Sequence, residues 1–268
     1  MSIVNPAPQF LKMPKLEVGT YALDLADLAA KEIPLPTTYC LPVSTLKNIA
    51  KHNWLEDKFE QIGVKIIPGN RLQIDQALKK IRSLILQQTI PKKITKKLFS
   101  FYQQKLNQDF VRLTASPVSG FNTNYKREDN IRGEVNLIES ILKLWARNIG
   151  EKELLQRNLF PVAIVIQEQP QPISSGIAYS QNPKTGDKTQ LIINSTWGVY
   201  QANSNDDQIT VDQRSWRIID QTINKKNYYY KRELDRLIKE KTAQQNIKKP
   251  SLSEKQTKKL AKLIKKIK

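Results

Sequence analysis

The apolar positions change their spacing part-way along the chain. Up to about residue 150 they recur at helical intervals; from Phe160 onward they run together or alternate. Residues 1–14 carry Pro6, Pro8 and Pro14 and predict an irregular arm. Leu25, Leu28 and Ala29 fall on one face of a helix over Ala22–Lys31, which the prolines of Ile33-Pro-Leu-Pro36 stop. Thr37–Leu41 predicts a short strand, and Ser44 or Thr45 can cap a helix reaching about Phe59. Ile74–Gln87 and Ile94–Leu106 predict two amphipathic helices separated by Pro91. Asp109–Thr114 alternates and predicts a strand, whereas the polar stretch Asn122–Arg132 predicts loop. Over Val135–Asn148 the residues Leu137, Ile138, Ile141, Leu142 and Trp145 make one apolar stripe, a strong helix signal.

The run Val162–Ile166, within a strand over Phe160–Gln167, suits burial on both faces. Ser175–Ser180 and Gln190–Asn194 predict strands joined through the turn Asn182–Gly186. Ile209–Val211 and Trp216–Ile219 suit a further hairpin. Two closing helices are expected, Asn227–Ala243 and Leu252–Ile267, the second opened by a capping box at Ser251-Leu-Ser-Glu254. Helices followed by a strand meander predict an α+β, two-lobed fold.

Composition narrows the function classes. No apolar run approaches the roughly 20 residues that cross a bilayer, and the start lacks a secretory pattern. The single cysteine, Cys40, leaves no intrachain disulfide and no cysteine-built metal site. A cytoplasmic location is therefore expected. The net charge of +19 raises a polyanion partner as a possibility. The lysines are spread along the chain, however, densest at Lys92–Lys97 and Lys255–Lys268, without zinc-finger spacing or an aromatic RNA-binding signature. A lysine-rich solvated surface explains the charge better than nucleic-acid binding. There is no Walker loop, nucleophile elbow or metal-binding histidine pair, and the lone His52 is given no role. No metal ligands are identified.

Four ordered blocks carry a resemblance that covers nearly the whole chain. Val18-Gly-Thr-Tyr-Ala-Leu-Asp-Leu-Ala-Asp-Leu28 precedes Ile33-Pro-Leu-Pro36. Phe110-Val-Arg-Leu-Thr-Ala-Ser116 follows at a distance. Pro161-Val-Ala-Ile-Val-Ile-Gln-Glu-Gln-Pro170 leads to Ser175-Gly-Ile-Ala-Tyr-Ser-Gln-Asn-Pro-Lys-Thr-Gly186. The last block is Ile193-Asn-Ser-Thr-Trp-Gly-Val-Tyr-Gln-Ala202. Together they resemble the N-terminal, ATP-grasp-type nucleotide-binding domain of phosphoenolpyruvate synthase, pyruvate phosphate dikinase and rifampicin phosphotransferase.

The resemblance implies a two-lobed ATP-grasp-type fold with a mostly antiparallel sheet in the C-terminal lobe. Its N-terminal lobe would be residues 15–115 and its C-terminal lobe 116–268, ending before the family's last catalytic strands. ATP and magnesium are the implied cofactors, and a phosphohistidine-bearing domain or subunit the implied partner. Arg112 takes the position of a phosphate-binding arginine, beside the hydroxyl of Thr114. Gln167, Glu168 and Gln169 take the hinge beside the adenine. Several positions depart from the family. Tyr21 stands where the family has its phosphate-binding lysine, and Thr20 and Ala22 replace the flanking glycines. The family's acidic, glycine-containing loop is not recognisable in Pro117–Asn130. Gln201 stands where a glutamate is expected, and Tyr200 replaces a glycine. A tyrosine offers a neutral hydroxyl in place of a mobile cation, and an amide supplies no charge to a metal.

Three functions remain open on the sequence. The first is the family's kinase step, in which Mg-ATP phosphorylates a histidine on a separate domain. The second is a non-catalytic relative serving as a nucleotide-binding or interaction module. The third, resting on charge alone, is a basic nucleic-acid-binding protein.

Overall fold

In the computed structural model, residues 5–106, 110–118, 125–201, 205–233 and 236–267 are described, with side chains from residue 9 onward except at 105. The chain divides by packing into two units, Met1–Gln169 and Pro170–Lys268. The lobe boundary expected at 115/116 falls inside a strand of the first unit.

The first unit is built on a five-stranded antiparallel sheet of order β1-β2-β5-β3-β4. Its strands are β1 (Asn5–Pro6), β2 (Thr38–Leu41), β3 (Val111–Pro117), β4 (Arg127–Ile131) and β5 (Val162–Glu168). The helices are α1 (Lys15–Ala30), α2 (Val43–His52), α3 (Leu55–Gly63), α4 (Arg71–Leu86), α5 (Lys92–Lys105), α6 (Glu134–Arg147) and the short α7 (Glu151–Leu155). Strand alternation sorts the sheet into two faces. Val111, Leu113, Ala115, Ile164 and Ile166 join the large core with residues of α2 through α7. Cys40, Ala163 and Val165 point the other way, onto α1, where Val18, Ala22, Leu25 and Ala26 cover them. Both faces of β5 are thus buried, as its unbroken apolar run requires.

Several elements differ from expectation. The arm contains β1 and a short 3-10 turn over Ala7–Lys12. The helix expected at Ala22 begins at Lys15, with a break at Gly19 (φ 76°, ψ 173°). The single helix expected to Phe59 is two, α2 and α3, because Trp54 adopts φ 54° between them. Asn53 closes α2 by donating from Nδ2 to the carbonyls of Ile49 (2.9 Å) and Thr89 (3.0 Å). Neither Ser44 nor Thr45 caps α2 through its side chain; the Ser44 amide instead donates to the Glu17 carboxylate at 3.1 Å. The expected loop Asn122–Arg132 contains β4, with its first residues 122–124 outside the described residues. Asp109, the expected start of β3, also lies outside them.

The second unit carries a four-stranded antiparallel meander of β6 (Ser174–Tyr179), β7 (Gln190–Trp197), β8 (Asp207–Asp212) and β9 (Ile218–Thr222). Leu191, Ile193, Ile209 and Val211 pack one of its faces against Ala261, Leu260 and Ile264 of α8 (Glu254–Ile267). The helix expected over Asn227–Ala243 is instead an antiparallel hairpin, β10 (Tyr228–Glu233) and β11 (Arg236–Lys241). Its tyrosines and the cross-strand pair Tyr229↔Glu240 favour the pleated arrangement over the helix-forming Lys, Glu and Leu content. The box opening α8 is also shifted. Ser253 and Gln256 exchange the reciprocal bonds (Ser253 amide to Gln256 Oε1, 2.8 Å; Gln256 amide to Ser253 Oγ, 3.3 Å). Ser251 is committed elsewhere, to Asp207. The molecule is α+β, with helices and antiparallel sheets in separate layers.

Candidate functional site

The face of the first sheet that looks toward α1 is polar at one end. Thr38 lies opposite Gln167, and Gln167 opposite Arg112, so the three side chains form a row across β2, β5 and β3. One step along β3, Thr114 and then Ser116 extend the same face. β4 adds Arg127 and Asp129 to it, while Glu128 turns to the opposite face and pairs with Lys143 (3.3 Å) and Arg147 of α6.

Helix α1 closes over this face at Gly19. A methyl group there would lie 2.2 Å from the Ser116 carbonyl oxygen and 2.5 Å from Ser116 Oγ, and φ of 76° is a left-handed value that side chains resist. The close approach lets Ser116 Oγ accept the Ala22 amide at 3.0 Å. The amides that open this helical turn are a natural anion site; here one of them is taken by a serine of the protein itself. Thr20 Oγ1 donates to the Pro117 carbonyl at 3.4 Å.

Tyr21, two residues on from the break, spans the row. Its hydroxyl donates to Gln167 Oε1 at 3.0 Å, and Gln167 Nε2 passes the chain on to Thr38 Oγ1 at 3.1 Å. Tyr125 stacks at a tilt against its ring, centroids 4.8 Å apart. Burial pushes the Tyr21 phenol above its ordinary pKa, against the opposing pull of the Thr114 hydroxyl and of the Arg112 and Arg127 charges. The phenol is therefore a neutral donor. Thr114 Oγ1 is buried and makes no well-formed hydrogen bond, although it lies close enough to Tyr21 to influence it.

Arg112 does not stand open. Its Nε meets Asp129 Oδ1 at 2.5 Å. Gln169 Nε2 donates to the same oxygen at 2.8 Å, and Arg127 Nε meets Oδ2 at 3.0 Å. Gln169 Oε1 accepts the Asn130 amide at 2.8 Å.

The sequence-selected residues thus separate into groups. Tyr21, Arg112, Thr114 and Gln167 gather on one face, and the Gln169 side chain reaches Asp129 beside them. Glu168 alternates to the other face, opposite Val111, with its amide bound to the Thr37 carbonyl at 2.9 Å. Gln201 belongs to the second unit, three residues beyond Gly198. Gly198 has φ 65°, and a methyl there would lie 2.2 Å from the Tyr230 carbonyl oxygen, so the Trp197-Gly198 pair serves the bridge to β10. Ser116, Arg127 and Asp129 were not selected. No local signal marks Arg127-Glu-Asp-Asn130 as a strand, since all four residues are polar.

The profile describing the pyruvate phosphate dikinase AMP/ATP-binding domain matches residues 15–268. The chain belongs to this family. Among relatives, a probable phosphoenolpyruvate synthase of Staphylothermus marinus is 21% identical over 233 residues, covering 78% of this chain and 28% of the relative. A second probable phosphoenolpyruvate synthase, from Methanothermobacter thermautotrophicus, is 21% identical over 243 residues, covering 82% and 35%. The rifampicin phosphotransferase of Bacillus cereus is 23% identical over 200 residues, covering 69% and 23%. The chain thus spans between 23% and 35% of the length of these relatives.

Membership brings ATP to a domain whose polar face can be tested for fit. A guanidinium is chemically suited to a phosphate, and that of Arg112 is paired here with Asp129. Among the described residues no three His, Cys, Asp or Glu side chains cluster in a way that could hold a metal ion, and both Asp129 oxygens already accept from cationic or amide donors. No helix among the described residues is long and apolar enough to cross a membrane.

Proposed function

We propose that this chain is a phosphoenolpyruvate synthase-type nucleotide-binding domain that engages ATP through the polar face of its first unit and does not by itself transfer the phosphoryl group. The two-lobed ATP-grasp-type reading rests on the resemblance and on the division into two compact units. Arg112 is assigned to phosphate, with Thr114 beside it, and the Gln167–Gln169 segment to the base.

One observation carries the reading. Arg112, the family's phosphate-binding position, lies in line with Gln167 and Thr38, but Tyr21 occupies the lysine position and is locked onto Gln167. Phosphoryl transfer proceeds by neutralising developing charge with cations and a metal. A neutral phenol and a guanidinium shared with a carboxylate supply little of this charge. Nucleotide binding needs less: one or two charge-assisted donors and a surface for the base suffice. The family's step, transfer from Mg-ATP to a histidine on a separate domain, would fall to residues other than these.

Calorimetry with ATP, with and without magnesium, tests binding on the purified chain. Micromolar to sub-millimolar affinity is expected, weakened about tenfold or more by Arg112→Ala because a charged hydrogen bond contributes roughly 1.5–3 kcal/mol. No binding at millimolar ATP would overturn the reading. Transfer of labelled γ-phosphate to a histidine-bearing acceptor would overturn its non-catalytic half.

A further inference from the structure

The carboxylate of Asp129 receives donors from three parts of the first unit: Arg112 on β3, Arg127 on its own strand, and Gln169 just beyond β5. Two guanidinium groups and an amide converging on a small two-oxygen anion are the donors that recognise a phosphoryl group as well as a carboxylate. We infer that Arg112, Arg127 and Gln169 form a phosphoryl cage, and that Asp129 is its built-in occupant, displaced when a nucleotide phosphate enters. The inference rests on the nucleotide-binding reading above. It adds Arg127, Gln169 and Asp129 to it, and turns the Gln169 side chain from the base to the phosphates.

Three features suit Asp129 to an exchangeable role. The first is solvent access: Asp129 is 29% exposed, Arg112 33% and Arg127 60%. Ion pairs this wet are screened and held weakly, so exchange of one anion for another costs little. The second is the backbone. The β3–β4 register shifts between Val111 and Leu113, and Asn130 takes a left-handed φ of 60°. The ladder is interrupted beside the carboxylate, as bulges that re-aim a side chain commonly do. The third is position: β4 is the outer strand of the sheet, so it can shift without breaking a second ladder.

The charge argument gives the direction of the effect. A phosphoryl group brings more negative charge than a carboxylate to the same donors, so it competes well. The displaced Asp129 carboxylate, held nearby on β4, then repels it. Removing the carboxylate deletes both the competitor and the repulsion.

The test is calorimetric titration of the full chain with Mg-ATP and, separately, with inorganic tripolyphosphate, at fixed ionic strength. Asp129→Asn and Asp129→Ala are expected to tighten both ligands by about tenfold. Arg127→Gln is expected to weaken both several-fold. The polyphosphate arm assigns the effect to the phosphate end, since it has no base. If the Asp129 variants bind ATP as the wild type does while Arg112→Ala loses it, the cage is refuted and the nucleotide reading stands. If wild type and Asp129 variants all ignore both ligands while melting normally, both fall. Should Asp129→Ala fold poorly, the nearly isosteric Asp129→Asn carries the comparison.

Discussion

Two ion pairs of similar geometry sit in opposite surroundings. In the second unit Lys226 Nζ meets Asp207 Oδ1 at 2.5 Å, and the two side chains are 1% and 0% exposed. In the first unit Arg112 meets Asp129 at the same distance with about a third of each side chain in solvent. The buried pair is surrounded by further partners. Asp207 Oδ1 also accepts the Asn224 amide at 3.1 Å, and Oδ2 accepts the amide and hydroxyl of Ser251 at 2.7 and 2.8 Å. Lys226 gives a second bond to the Asn224 carbonyl at 2.9 Å. Charges buried this deeply persist only when their remaining valences are met. The node ties β8 to residues 224–226 and to the approach to α8. The wetter pair also has further donors, Arg127 and Gln169, but about a third of each of its two partners stands in solvent. Burial, more than distance, separates this structural ion pair from the exchangeable one proposed at Asp129.

The largest expected effect tests the buried side of this contrast. Asp207→Ala leaves an ammonium in the interior without a counter-charge, and should cost about 3–5 kcal/mol of unfolding free energy. Denaturant titration of the full chain reads it. Arg112→Ala, by contrast, should cost less than about 1 kcal/mol, because its pair is screened. Equal losses in the two variants would abolish the distinction.

A smaller loss is expected where the exchangeable site is held in place. Gly19→Ala pushes a methyl onto the Ser116 carbonyl and imposes a left-handed φ on a side chain. Destabilisation of roughly 2–3 kcal/mol should follow, with ATP affinity falling as α1 lifts from Ser116. A melting temperature unchanged from wild type would mean that the helix does not need this close contact.

The sequence made much of the site's platform legible and left its occupant hidden. Arg112, Thr114 and Gln167 were picked out by the family resemblance, and the strands that carry them, with their strong apolar runs, put the three on one face. The helical stripe of α6 and the double-sided burial of β5 were equally plain. β4 was not, since Arg127-Glu-Asp-Asn130 has no apolar period. Its alternation separates Glu128, facing the cations of α6, from Asp129, facing Arg112, and both classes are polar. The β10–β11 hairpin was missed for a related reason: tyrosines and helix formers are mixed there, and cross-strand partners decide between them. At Ser251, a local spacing suggested a helix cap, whereas Asp207, distant in sequence, claims the hydroxyl. Local patterns report the partners a residue has nearby and are silent about those that folding brings.

The smallest effect is the most diagnostic of Tyr21. Tyr21→Phe keeps the ring against Tyr125 and removes the hydroxyl that donates to Gln167. Near neutral pH the loss should be about 0.5–1.5 kcal/mol, the usual net contribution of one hydrogen bond. Its pH dependence separates a neutral donor from mere packing. Burial raises the phenol pKa in the folded state above its ordinary value near 10, so the folded chain holds that proton more tightly than the unfolded chain. The stability gained is fully present below pH ~10 and is lost as pH rises through the folded-state value. The gap between wild type and Tyr21→Phe should therefore be constant from neutral pH to about 9 and shrink above it. A gap that widened in alkali would mean that the phenolate is the form the site prefers. Tyr21 would then be answering the Arg112 and Arg127 charges as an anion, and the lysine position of the family would have exchanged a cation for its opposite.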